Sequence, residues 1–455
     1  MNPLQLAVVG HTNTGKTSLL RTLARDTGFG EVADSAGTTR HVEGLRLMAA
    51  GKVAIELYDT PGMEDAIALL DFIDAQFGAG ARLDGPDRID RFLVTPEAAA
   101  RFEQESKVLR QLLRSDAALY VIDARDPVLP KHRDELALLV CAAKPVLPVL
   151  NFVVSPAARV QDWHAALARL GLHAVVSFDT VAPEIDGERR LFATLGTLLH
   201  AHREAIDALI ADRCREADAR REAARRLVAR LLITLAAHRH RVADASDRAL
   251  VAAVERLRST VREREQACVD ALLQLYRFRP DDVRMTALPL VAGRWEDDLF
   301  NPETLRQFGV RLGGGAAAGA AAGVGIDLMV GGITLGAAAA LGAVAGGLWQ
   351  TFGHYGERIA TRVRGHRELS VDDAILRVLA LRQRALLRAL DGRGHAALAP
   401  IEMTVAEEGV PDGFAWQSGR LPLELRQARA HPEWSGVASP EREQAVETLA
   451  AATLN

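Results

Sequence analysis

Residues 10–18 read GHTNTGKTS and follow directly on the apolar run Leu4 to Val9. Gly10 and Gly15 frame four residues, and Lys16 and Thr17 come next. The SLLRTLAR that follows has the composition of a helix. Strand, glycine loop and helix in this order make a phosphate cradle. Loop and first-turn N–H groups face phosphate oxygens, Lys16 reaches the terminal phosphates, and the Thr17 hydroxyl takes Mg²⁺. Lys16 is the more informative because only five of the 55 basic residues, Lys16, Lys52, Lys107, Lys131 and Lys144, are lysine. A compact ammonium on a flexible stem suits this position, and arginine's planar fork does not.

Outward from the loop, the Val/Ile/Leu-rich runs LQLAVV, VAIELYD, ALYVIDA, PVLPVLN and HAVVSF alternate with stretches long enough for helices. That alternation predicts an α/β unit over residues 1–200 with a doubly wound, mostly parallel sheet. AGTTRH, residues 36–41, offers Thr39, or Thr38, to close on Mg²⁺ and a γ-phosphate. LYDTPG puts Asp59 at a strand end, where it holds Mg²⁺ through water, and leaves the Gly62 N–H to sense the γ-phosphate. The stretch Phe77 to Asp90, FGAGARLDGPDRID, reads as an inserted loop.

Gly10 to Ser18, GTTRH and DTPG together resemble the Era-like and tRNA-modification branch of bacterial P-loop GTPases. The resemblance covers roughly the first two hundred residues and implies a Ras-like G domain that binds GTP and GDP with Mg²⁺. Carried over residue by residue, it implies Mg²⁺ ligation by Thr17, Thr39 and Asp59, and catalytic roles for Lys16, Thr39 and Gly62. Nucleotide contacts fall to Gly10, Asn13, Thr14, Gly15, Lys16, Thr17, Ser18, Asn151 and Ser177. In that branch an asparagine placed like Asn13 supports a K⁺ ion beside the phosphates; a plain turn-stabilising role is the alternative. Two departures stand out. Met63 follows Gly62, so the glutamine that positions water in many GTPases is missing. Asn151, Phe152, Val153 and Val154 stand where Asn-Lys-x-Asp is implied, so the carboxylate that receives guanine's N–H and amino groups is missing too. A site without that carboxylate forfeits most of its preference over adenine. The stretch Ser177 to Asp179 reads as a remnant of the loop that packs on the base.

A length of 455 residues implies two or three units. A net charge of -4 argues against a generally cationic protein, so any contact with nucleic acid or anionic lipid is local. Cys141, Cys214 and Cys268 lack the spacing of a zinc site or a disulfide framework, and the N-terminus lacks a secretory leader. Both features predict a cytoplasmic protein.

Residues 201–304 are expected to form an arginine-rich helical domain. Between Arg213 and Arg264 there are 14 arginines against 7 acidic residues, which suits either a basic face for RNA or lipid, or helices laced with ion pairs. His238 and His240, two apart, fall on different faces of such a helix. Residues 305–356 read as a Gly/Ala-rich helical hairpin, with Asp327 near its bend as the only Asp, Glu, Lys or Arg from Leu312 to Gly356. Gly315, Gly319 and Gly323, and the pairs Gly332 with Gly336 and Gly342 with Gly346, make flat stripes that let helix backbones approach. As helices the two arms would rise ~22 Å and ~33 Å against a ~30 Å hydrocarbon core. The stretch 312–349 therefore fits a glycine-zipper hairpin associated with the cytoplasmic face of the inner membrane, or a hairpin buried in a soluble core. The stripes also suit a homo-oligomer. Residues 357–455 complete a helical C-terminal region that includes an amphipathic helix from Asp372 to Leu390. Three functions follow: a GTPase switch acting on a membrane-associated C-terminal region, a soluble RNA- or ribosome-associated GTPase, or a nucleotide-stabilised scaffold.

Overall fold

The computed structural model describes residues 2–25, 43–77, 83–184, 186–242, 247–278, 290–291, 294–295, 326–330, 333–336, 367–392, 416 and 420–453. They form two compact units, one drawn from Met1–Asp218 and Asp391–Leu398 and one from Ala219–Leu390 and Ala399–Asn455. In the first, β1 (Leu4–Val9), α1 (Lys16–Ala24), β2 (Glu43–Ala49), β3 (Lys52–Asp59), α2 (Ala66–Phe77), α3 (Gly85–Leu93), α4 (Pro96–Ala99) and α5 (Glu103–Arg114) follow in order. Then come β4 (Ala117–Asp123), α6 (Pro130–Cys141), β5 (Val146–Asn151), α7 (Val160–Arg169), β6 (Val176–Ser177) and α8 (Gly187–Leu198).

The sheet order is β2-β3-β1-β4-β5-β6, parallel except for β2 against β3. Every residue of β4 and β5 is buried, as a parallel sheet covered on both faces requires. Alternation along β1 divides the core. Leu4, Leu6 and Val8 pack with Leu19, Leu20 and Leu23 of α1 and Leu191, Phe192 and Leu195 of α8. Ala7 and Val9 face the opposite layer, with Leu69 of α2, Leu109 of α5, Leu139 of α6 and Trp163 of α7. The chain leaves β1 for β3 on one side and returns to β4 on the other, which makes the C-terminal end of β1 the switch point where ligands bind in such sheets.

One detail adds to the sequence reading and one differs from it. Strand β2 pairs antiparallel with β3 through a turn whose central residues, Ala50 and Gly51, have φ of 48° and 77°. That turn needs two left-handed residues, and Ala-Gly is a weaker signal for it than Asn-Gly. The supposed loop Phe77 to Asp90 is helical from Gly85, where the Asp84 carboxylate caps α3 by accepting the Asp87 N–H at 2.9 Å and buries Ile89.

Helix α9 (Arg203–Ala237) crosses the boundary of the units in sequence, and β7 (Arg239–Val242), α10 (Asp247–Leu275), β8 (Leu290–Val291), β9 (Arg294–Trp295), β10 (Ile326–Val330) and β11 (Ile333–Gly336) follow. Next are β12 (Arg367–Val371), α11 (Asp373–Asp391), α12 (Leu423–Ala430) and α13 (Pro440–Thr453). Strands β11, β10, β12 and β7 form an antiparallel sheet. This corrects the helical hairpin around Asp327. Residues 326–330 and 333–336 are strands, and Asp327 lies opposite Gly336 within the ladder instead of at the bend. Helical spacing of glycines says nothing about a chain whose N–H and C=O groups are taken by neighbouring strands. The glycines at 315, 319, 323, 332, 342 and 346 lie outside the described residues. His240 likewise sits in β7, paired with Leu369, and not on a helix face.

The α11 pattern is amphipathic as expected, yet its polar side is not all solvated. Arg382 and Gln383 are buried, with Arg382 3.2 Å from the buried Glu265 of α10 and Gln383 beside the same carboxylate. Elsewhere the arginines of α9 and α10 meet acids: Arg226 with Glu222 and Glu447, Arg230 with Glu443, and Arg258 with Glu255.

Burial next to Glu265 pushes the Cys268 thiol up to about 12, burial raises Cys141 less, and Cys214 is exposed. Because the thiolate is the nucleophile, iodoacetamide at pH 8 should label Cys214 quickly and Cys268 only after denaturation, read by peptide mass spectrometry. Equal rates at the two cysteines in native protein would contradict this packing.

Candidate nucleotide-binding site

The loop between β1 and α1 lies at the switch point. Gly10 and Gly15 have φ of 147° and 91°, and Asn13, exposed at the tip, has φ of 65°. These angles reverse the chain so that α1 starts at Lys16 with no side-chain cap, although Lys16, Thr17 and Ser18 are buried. Buried first-turn N–H groups need partners, and an anion is the partner such a helix start accepts. A Cβ on Gly15 would run into the Asn151 amide and one on Gly10 into the Val121 carbonyl, so neither position tolerates a side chain.

The Lys16 ammonium donates to the carbonyls of Gly10 at 3.1 Å and His11 at 2.7 Å. Burial lowers its pKa to about 8, while Asp59 and then Glu135 pull the other way. Phosphate oxygens would supply the negative charge that this desolvated ammonium lacks. Thr17 Oγ1 donates to Asp59 Oδ2 at 2.5 Å, which brings together the hydroxyl and carboxylate oxygens that a hard divalent cation prefers. Thr12 Oγ1, buried against Gly62, has no hydrogen-bond partner. The donor set and the cradle thus fit a Mg²⁺-bound phosphate chain. Thr60 has a different task, donating from its hydroxyl to the Val8 carbonyl at 2.7 Å and so tying the end of β3 to β1. Gly62 then lies so close to Thr12 that a Cβ would stand 2.8 Å from the Thr12 Cα. Thr39 and Thr38 lie outside the described residues.

On the base side, Asn151 ends β5 fully buried. Its Nδ2 donates to the Thr14 carbonyl at 3.0 Å, and its Oδ1 accepts the N–H groups of Phe152 at 2.9 Å and Thr180 at 3.0 Å. It therefore joins the phosphate loop to the loop after β6, and Thr22 Oγ1 adds a second tie by donating to the Thr180 carbonyl at 3.0 Å. Ser177 ends β6, half-buried, paired with Leu150. Asp179 is consumed structurally: its oxygens accept N–H groups from Val154 at 3.2 Å, Val181 at 2.9 Å and Ala182 at 3.0 Å. Val154 is 64% exposed and supplies no acceptor for a base. The Phe152 ring stacks under the Arg125 guanidinium, 4.1 Å from its centroid, and Arg125 pairs with Asp123 at 2.6 Å. Sequence reading missed Thr180, Arg125 and the part played by Phe152, because each acts through a neighbour distant in sequence or through its backbone. It also passed over His11, one of the variable positions within the phosphate loop, and Glu105 and Glu135, isolated side chains in no motif.

A model for the 50S ribosome-binding GTPase family matches residues 5–152, and one for the domain of unknown function DUF3482 matches residues 164–455. Among solved structures, Aquifex aeolicus Era bound to GDP.AlF4⁻ is 18% identical over 44% of this chain and 57% of that chain, with a TM-score of 0.32. Era in complex with MgGDPNP and a 16S ribosomal RNA segment gives the same values. The G domain of the T. maritima FeoB iron transporter is 21% identical over 43% of this chain and 99% of that one, with a TM-score of 0.25. The chain thus spans little more than half the length of the Era chains it matches. No curated protein matches it.

Truncating Asn151 to alanine should cost about 2–3 kcal/mol in denaturant unfolding, since three partners inside the unit lose their bond at once. A loss below ~0.5 kcal/mol would mean that the two loops are held together without it.

The first unit carries a P-loop GTPase domain, and the chain as a whole belongs to the family defined by the domain of unknown function DUF3482.

Proposed function

We propose that the protein is a Mg²⁺-dependent switch that binds and hydrolyses GTP and acts on its own C-terminal unit. The observation that carries this reading is the buried Lys16 ammonium, held over the loop carbonyls beside the Thr17–Asp59 pair at an uncapped helix start. Lys16 and the loop N–H groups bind and polarise the terminal phosphates, and charge developing on the transferred phosphoryl group meets donors already in position. Bound Mg²⁺ neutralises phosphate charge; Thr17 and Asp59, with Thr39, are the residues that hold it. The Gly62 N–H reports the γ-phosphate. Guanine is the base we assign, in line with the GTPase family description for residues 5–152, although Val154 leaves the preference over adenine weaker than an aspartate would.

Met63 brings no water-positioning amide, so intrinsic turnover is slow, and K⁺ held near Asn13 offsets phosphate charge that no arginine or glutamine in the assigned set meets. The output is assigned to the C-terminal unit itself. Membrane contact by 312–349 would rest on residues 312–325 and 337–349, outside the described part, since 326–330 and 333–336 pair in a sheet. Among the described residues no helix is long and apolar enough to cross a membrane. The alternative of an RNA- or ribosome-associated GTPase draws on the family description for residues 5–152 and on Era's RNA complex. The acid partners of the α9 and α10 arginines weigh against their being its RNA surface.

Lys16→Ala should lower GTP affinity and turnover by an order of magnitude or more, measured by equilibrium titration and phosphate release. Unchanged turnover in a folded variant sinks the enzyme reading. Wild-type hydrolysis should also run faster in KCl than in NaCl at equal ionic strength, and equal rates remove K⁺ from the account while leaving the switch.

A further inference from the structure

The three residues after Gly62 are held more firmly than a segment that merely follows a strand requires. The Met63 side chain is fully buried in the layer under α2, so this position offers no side chain to the loop. Its carbonyl lies 2.9 Å from His11 Nδ1, and the two residues form an isolated parallel bridge. The same Nδ1 is 2.7 Å from Glu135 Oε1, and His11 Nε2 is 2.8 Å from the Lys131 ammonium. Nδ1 faces two oxygens and Nε2 faces a donor, so the proton belongs on Nδ1, and that one N–H is shared between the Glu135 carboxylate and the Met63 carbonyl. Glu135, fully buried, is fixed in turn by the Tyr120 hydroxyl, which donates to its Oε2 at 2.6 Å. From the other side, Glu105 of α5, 3% exposed, accepts the N–H groups of Glu64 at 3.0 Å and Asp65 at 2.9 Å.

Two buried carboxylates thus converge, one directly and one through a histidine, on the main chain of residues 63–65. Buried carboxylates are expensive unless fully bonded, and a methionine or leucine would fill either space without that cost. Their placement is explained if the position of this main chain matters. We propose that His11, oriented by Glu135, and Glu105 are positioning residues for γ-phosphate recognition: they hold the turn after Gly62 so that its N–H is already aimed beside Thr12 when the phosphate arrives.

This inference rests on the reading of the loop as a triphosphate site. A donor placed in advance loses no freedom on binding, so the network adds to affinity only where a ligand uses that donor. A diphosphate lacks the group that meets Gly62. The network therefore raises the preference for triphosphate over diphosphate and leaves diphosphate affinity alone. A purely structural role, with Glu105 as a remote cap for α2, would instead weaken both nucleotides together or neither.

The test uses the full-length protein, fluorescent GDP and a fluorescent non-hydrolysable GTP analogue, with Mg²⁺ present. His11→Ala and Glu105→Ala should each cut the ratio of triphosphate to diphosphate affinity by about three- to ten-fold, with diphosphate affinity unchanged. His11→Asn, which keeps an N–H donor, and Glu105→Gln, which keeps a carbonyl acceptor, should restore most of the ratio. His11 has a side chain 20% exposed and tolerates truncation better than Glu105, so it carries the test if Glu105→Ala does not fold. An unchanged ratio in folded variants overturns the proposal, as does a parallel fall in both affinities. Wild-type protein that binds neither nucleotide overturns the site reading, and this inference with it.

Discussion

A lysine ammonium shut away from water lies at the centre of the N-terminal unit, and the arrangement around it follows from that constraint. Lys16 is 7% exposed and is held by two carbonyls of its own loop, with the charges of Asp59 and Glu135 nearby. A desolvated cation is tolerated only where dipoles and counter-charges face it. The Gly10 and His11 carbonyls and the carboxylate at the end of β3 meet that requirement, while the uncapped first turn of α1 adds N–H dipoles that, like the ammonium, face an anion best. A site built this way is ready for a polyanion before the polyanion arrives, and this readiness is what electrostatic catalysis of phosphoryl transfer depends on.

The sheet converts this local chemistry into a shared platform. Because β1 lies between β3 and β4, three strand ends open onto one crevice. Asp59 comes from one, the loop from the second, and Asn151 from β5 a further strand away. Asn151 shows how the parts are kept in step: one buried amide bonds the phosphate loop, its own turn and the loop after β6. Positions that face the base in the related pattern have been given to structure here. Asp179 holds turns together and Phe152 stacks beneath Arg125.

The C-terminal unit obeys different economics. Its long helices carry many arginines, but their charges are met by nearby acids, and one arginine is buried with Glu265 at the heart of the packing. Removing one partner of such a pair strands a charge, so the pair fixes how α10 and α11 can pack even if it adds little net stability. The same unit closes a four-stranded antiparallel sheet from segments more than a hundred residues apart in sequence.

The phosphate loop, the strand bearing Asp59 and the alternation of five strands with helices were legible in the residues. They depend on local spacing: a glycine loop after an apolar run, a carboxylate at a strand end, and buried β-branched runs. The amphipathic α11 was legible for the same reason. What tertiary structure alone decided are interactions between residues far apart in sequence. Neither His11 nor Glu135 nor Glu105 announces itself, and each acquires its role only when α5 and α6 pack beside the turn after Gly62. Arg382 lies on the polar side of the amphipathic pattern, and its burial depends on the glutamate that α10 brings to it. Residues 326–330 and 333–336, read as part of a helical hairpin, are strands around Asp327, because main-chain hydrogen bonds to β12 outweigh a side-chain pattern that can only say how closely a helix could be approached.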